Sequence, residues 1–243
     1  VWWVVLTLPL LKNYRQVYYV KKEQGIVRGS FQRLGKTLVG MKDEKAVFLF
    51  LLAFFCYIDG VYTIIDMATA YGSALGLDST GLLLALLVTQ FVAFPFSILF
   101  GRLAEKYDTG KLILTCIAAY MGITVFAVFM KAQWQFWVLA IFVGMFQGGI
   151  QALSRSYFAK IVPPERSGEY FGLMDICGKG ASFMGTTVVG LASQAFGSIN
   201  IGISAIVFLF LAGALFFMKT EHSGSESMKN QENVVMGQQM FHD

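Results

Sequence analysis

Six long apolar runs follow one another along this 243-residue chain: Ala46–Ala70, Ser79–Phe100, Leu112–Met130, Gln135–Phe158, Tyr170–Ala195 and Ile199–Met218. A helix crosses a hydrocarbon layer of about 30 Å with roughly 17–25 apolar residues, and every run has that length. None alternates apolar and polar residues as barrel strands do. Helices then remain as the way to satisfy the backbone inside lipid. The pattern predicts an all-α membrane protein with six transmembrane helices over 46–218. Residues 1–11 are apolar but too short to span. No charged segment precedes them, so they read as the end of a truncated transmembrane helix rather than a signal peptide.

The polar segments between the runs differ in charge. Residues 12–45 hold nine Lys/Arg, and the Gly101–Lys111 connection holds Arg102, Lys106 and Lys111. Lys160 and Arg166 lie in Ala159–Glu169, with Arg155 just before it, and the tail carries Lys219 and Lys229. The alternate connections, Tyr71–Asp78, Lys131–Trp134 and Phe196–Ser198, contribute Lys131 alone. The bias toward cytoplasmic Lys and Arg then puts every basic segment on one side, in the cytoplasm. Within the 12–45 basic linker, Ile26, Val27, Phe31, Leu34, Leu38 and Val39 have the spacing of an amphipathic helix on the membrane surface; a flexible charged linker is the alternative. Residues 219–243 are polar and read as a disordered cytoplasmic tail.

Composition sharpens the picture. The chain is 56% hydrophobic and 14% charged, whereas soluble domains carry roughly 25% charged residues. The net charge of +4 is spent on topology, and no basic stripe interleaved with exposed aromatics suggests nucleic acid. Cys56, Cys116 and Cys177 sit in apolar runs without metal-ligand spacing, and both histidines, His222 and His242, lie in the tail. No nucleophile elbow, phosphate-binding glycine loop or metal-ligand pair is present, so neither an enzyme, a metal nor a cofactor is expected.

Ionisable groups inside spans are costly and usually face a cavity or a partner. Asp59 and Asp66 are seven residues apart in the first run, close to two helical turns, which places both on one face with Tyr62 and Thr63. Asp59, nearest the middle, suits a proton or cation site or an anchor for a substrate amine; a packing hydrogen bond or salt bridge is the alternative. Asp175 and Lys179 stand at i, i+4 and can pair, either to neutralise each other or as a switchable pair on a solute path. Gln147, Gln151 and Arg155 form one face of the fourth run, with Gln90 a weaker candidate, while Gly144, Gly148 and Gly149 suit close helix packing.

Two stretches resemble known signatures. Gly101–Arg102–Leu103–Ala104–Glu105–Lys106–Tyr107–Asp108–Thr109–Gly110–Lys111 resembles the cytoplasmic loop motif of the major facilitator superfamily, with Glu105, Lys106 and Asp108 departing from its usual Asp, Arg and Gly. Gly148–Ser156, Pro163–Leu173, Tyr57–Gly60 and the Asp175–Lys179 context are similar to the vacuole effluxer-like branch of that superfamily. The resemblance implies a twelve-span carrier, with this chain its C-terminal half and an N-terminal half as partner. It implies a cytoplasmic gate of Gly101, Arg102, Glu105, Asp108, Arg155, Glu165 and Arg166.

The expected function is secondary active transport of a small polar solute, with amino-acid efflux suggested by the branch, coupled to an ion such as the proton. Asp59, Asp66, Tyr62, Gln147, Gln151, Asp175 and Lys179 are the candidate substrate or coupling residues. A bacterial plasma membrane is expected ahead of a vacuolar one. The alternative is a non-transporting scaffold or sensor on the same fold.

Overall fold

A computed structural model describes residues 7, 8, 11 and 44–240, with side chains described throughout except at 165 and 223–240. The expected surface helix at 26–39, and most of the opening fragment, lie outside the described residues. From residue 44 onward the chain is a bundle of six helices: α1 (Lys45–Ala74), α2 (Ser79–Lys106), α3 (Thr109–Val128), α4 (Gln133–Ile161), α5 (Ser167–Phe196) and α6 (Ile199–Met240), with one 3-10 turn at Pro164–Arg166. The described residues contain no strand. Connections of a few residues make successive helices antiparallel. The starts of α1, α3 and α5 therefore gather at the end of the bundle that carries the basic connections.

Side chains and turn geometry set the helix limits. Asp78 caps α2 by accepting from the Gly81 N–H at 2.7 Å, and Asp108 caps α3 by accepting from the Lys111 N–H at 3.0 Å. The Gln135 side-chain oxygen accepts from the N–H groups of Lys131 and Ala132 at the start of α4. Each bond satisfies a donor that has no intrahelical carbonyl. α5 stops at Gly197, whose φ of 66° is the left-handed conformation that suits glycine.

Five of the six helices are long and apolar enough to cross a membrane. The exception is α5. It has the length, but its Asp175, Lys179, glycines and hydroxyl side chains dilute the apolar character expected of the fifth run. The apolar stretch of α6 ends at Met218, yet the helical backbone continues to Met240, into the segment read as disordered. Residues 219–240 contain no proline, and their Lys, Glu, Gln and Met are ordinary helix formers.

α1 is the hub: it packs against α4, α5 and α6, and Phe50, Ala53, Tyr57, Ile58 and Val61 are fully buried on it. At the basic end Phe50 stacks on Tyr157 and Phe158, with Phe217 of α6 edge-on. α2 and α4 form the most extensive helix pair. They approach closely because a Cβ at Gly144 would lie 2.7 Å from the Thr89 carbonyl, and one at Gly148 would lie 2.9 Å from that of Ala93. Small residues at such crossings let backbones meet where lipid gives no hydrophobic drive.

Candidate substrate site

The polar residues of α1 divide into two groups. Asp59 is fully buried. Its Oδ1 accepts from the Gly185 N–H of α5 at 2.8 Å and from the Thr63 hydroxyl at 3.5 Å, whereas Oδ2 is buried with no hydrogen-bond partner. The approach is possible only because residue 185 is glycine: a Cβ there would collide with Asp59 Oδ1 and Thr63 Oγ1. Asp59 is thus part of the α1–α5 contact.

Asp66, two turns further on, is exposed and accepts from the Ser182 hydroxyl of α5 at 2.8 Å. It opens on a cavity of about 380 Å³ between α1, α4 and α5, lined by Phe54, Tyr62, Asp66, Arg155, Met174, Asp175, Gly178, Lys179 and Ser182. Four charged side chains therefore share one space, two of each sign.

Their pairing departs from the sequence expectation. Asp175 is held by Arg155 across the α4–α5 gap, Nη2 to Oδ1, at 2.8 Å, with the two side chains 51% and 57% exposed. Lys179 makes no ion pair within 4 Å among the described residues. The i, i+4 spacing puts Lys179 within reach of Asp175, but a guanidinium from a facing helix competes for the same carboxylate with better hydrogen-bond geometry. With Arg155 and Asp175 neutralising each other, the free charges of the cavity are the Lys179 ammonium and the Asp66 carboxylate.

Gln147 and Gln151 are half-buried on α4 outside this cavity, and Gln147 Oε1 is buried without a partner. Of the expected gate residues, Gly101, Arg102 and Glu105 are exposed at the end of α2, and Asp108 is the α3 cap. Arg166 lies 3.4 Å from Glu169 and over the Tyr170 ring. Arg155 belongs to the cavity. The Glu165 side chain lies outside the described residues. A contact that the gate motif does not contain ties α4 to α3 nearby, where the Lys160 ammonium donates to the Thr109 hydroxyl at 2.9 Å.

The sequence reading missed Ser182, Phe54, Met174 and Gly178 of the cavity and the Gly185 contact. It also missed the buried Tyr57–Ser154 hydroxyl pair at 2.6 Å and the Tyr71 hydroxyl, which donates to the Ala127 carbonyl at 2.6 Å. Ser182 carried a usable signal, since it stands three residues from Lys179 and shares its helix face.

Comparison with known proteins supplies the family. The model of the family described as vacuole effluxer Atg22 like matches residues 1–229. A Bacillus subtilis protein named uncharacterized MFS-type transporter YxiO is 45% identical over 232 residues, covering 96% of this chain and 54% of that protein. Autophagy-related protein 22-2 of Aspergillus clavatus is 26% identical over 244 residues, covering 88% of this chain and 39% of its own length. Autophagy-related protein 22 of Cryptococcus neoformans is 26% identical over 233 residues, with 87% and 42% covered. The chain spans about half the length of the first relative and about two-fifths of the fungal ones. Together with five helices able to cross a membrane, this match means that the chain belongs to the vacuole effluxer Atg22-like family of MFS-type membrane transporters.

Proposed function

We propose that this chain is the C-terminal half of a secondary transporter that moves a small zwitterionic solute, of the amino-acid class, by alternating access. The observation that carries the reading is the cavity between α1, α4 and α5, in which Asp66 and Lys179 remain as opposite charges once Arg155 and Asp175 have paired. An amino acid brings an ammonium for Asp66 and a carboxylate for Lys179, so each free charge is matched when the solute displaces water. A solute with one charge leaves one of the two uncompensated in a partly desolvated space, which costs free energy. Tyr62, Phe54 and Met174 supply the apolar and aromatic wall for a side chain.

Alternating access needs a second body, and the N-terminal half of the same protein is the proposed one, rocking against this bundle about a midplane site. Arg102, Glu105 and Asp108 then face it at the cytoplasmic side as a latch, with Arg166 and Glu165 beside it. Asp59 is the proposed ion-coupling group. It is the buried carboxylate at the contact between α1 and α5, the two helices that carry Asp66 and Lys179. A proton taken up or released there changes that contact and with it the cavity. The bacterial relative favours a plasma membrane as the setting.

The test is a thermal-shift screen of the full-length protein. Zwitterionic amino acids should raise the midpoint, while the matching amines and carboxylic acids, each with one charge, should not. Equal stabilisation by the singly charged analogues defeats the two-charge reading.

A further inference from the structure

A second cavity lies away from the charged one, on the outside of the bundle between α3 and α4. Its volume is about 370 Å³, within the ~300–1,000 Å³ range of ligand pockets. Ala119, Gly122, Ile123 and Phe126 form one face of α3, at i, i+3, i+4 and i+7. Val138, Leu139, Phe142 and Phe146 line the other wall from α4. No lining residue is charged. Gly122 gives the groove its depth, because a Cβ there would meet no atom within 4 Å.

Length and charge identify the occupant. The α3 wall reaches from Phe126, just before the α3–α4 connection, down to Ala119, and the α4 wall runs from Val138 to Phe146. At 1.5 Å per residue each wall is roughly 10–12 Å long, and its far end lies roughly 13–20 Å from the connection, close to one leaflet of a ~30 Å hydrocarbon layer. The connection itself carries Lys131, which is exposed and makes no ion pair within 4 Å among the described residues. Lys131 is also the one Lys or Arg in the three connections at that end of the bundle. Trp134, 64% exposed, stands beside it where an indole favours the headgroup level. An apolar groove one leaflet deep, with a single cation and an indole at its mouth, matches a chain with an anionic head.

We propose that the α3–α4 groove is a binding site for one acyl chain of an anionic phospholipid, with the phosphate held at Lys131. The site is independent of the solute cavity. Its side chains come from α3 and α4, and none of them lines the charged space.

The experiment uses the full-length protein in nanodiscs containing phosphatidylglycerol or phosphatidylcholine, each with a photoreactive group at the end of one acyl chain. Labelled peptides are quantified by mass spectrometry. Phosphatidylglycerol should label the deep end of the groove, around Ala119 of α3 and Phe146 of α4, about fivefold more than phosphatidylcholine does, the preference one lysine near a membrane surface provides. Gly122→Phe, which fills the groove where no atom stands in the way, should abolish that labelling while the melting midpoint holds. Gly122→Leu serves if the larger ring prevents folding. Lys131→Met should remove the preference between the two lipids and leave chain labelling. Labelling that is no stronger at the groove than around exposed Phe91 of α2, or that survives filling of position 122, means annular lipid only and overturns the site. Absence of any lipid label at the groove overturns it equally.

Discussion

Arg155 reaches across from α4 to hold Asp175 of α5 at 2.8 Å, while Lys179, one turn along from Asp175, makes no ion pair among the described residues. A double-mutant cycle in unfolding therefore distinguishes the two cations. Arg155→Gln with Asp175→Asn should show a coupling energy, and Lys179→Met with Asp175→Asn should show one near zero. Both side chains of the observed pair are about half exposed, so the coupling should stay within about 1 kcal/mol. A larger coupling to Lys179 than to Arg155 contradicts the pairing.

Gly185 sets the closeness of the α1–α5 contact, because nothing larger fits beside Asp59 and Thr63. Gly185→Ala should destabilise the protein by about 1–3 kcal/mol, as overpacking does. Gly190, on the same helix, is the control, since a Cβ at that position would meet no atom within 4 Å. Gly190→Ala should be neutral or stabilising by about 0.5–1 kcal/mol. Thermal unfolding in one detergent compares the two, and equal effects refute the contact.

Asp59→Asn keeps the side-chain oxygen that accepts from Gly185 but removes the group that can carry a proton. Expression and fold should persist. Accumulation of solute driven by an imposed pH gradient should vanish, while exchange down the solute's own gradient continues. Gradient-driven accumulation by the Asn variant would show that Asp59 is not the coupling group.

Topology has its own test. Single cysteines at positions 106, 131 and 160, in a background freed of native cysteines, are treated with an impermeant thiol reagent on intact cells. Position 131 should be labelled and the other two protected. The reverse pattern inverts the bundle.

The helices were legible because membrane spans are written in composition. The run Ser79–Phe100 became Ser79–Lys106 and Gln135–Phe158 became Gln133–Ile161, each extended by polar turns whose backbone bonds need no apolar side chain. Asp66, Tyr62, Asp175, Lys179 and Arg155 stood out as polar residues in apolar runs, and the fold brings them to one cavity. Which carboxylate met which cation was not legible. Spacing along one helix reveals neighbours on that helix, whereas Arg155 arrives from another. The burial of Asp59 and exposure of Asp66, seven residues apart, likewise depend on where α5 crosses α1. Gly185 sets that crossing, and among α5's many glycines nothing in the sequence distinguishes it.

In the proposed transport cycle Asp66 and Lys179 together read the two charges of a zwitterion. The direct measurement is counterflow of a labelled neutral amino acid in proteoliposomes of the full-length protein, for the wild type, Asp66→Asn and Lys179→Met. The wild type should show counterflow and both variants should lose it. Lys179→Met should shift competition toward amines lacking a carboxylate, and Asp66→Asn toward carboxylic acids lacking an amine. Counterflow that survives both substitutions, with unchanged competition by the singly charged analogues, would rule out Asp66 and Lys179 as the groups that bind the solute.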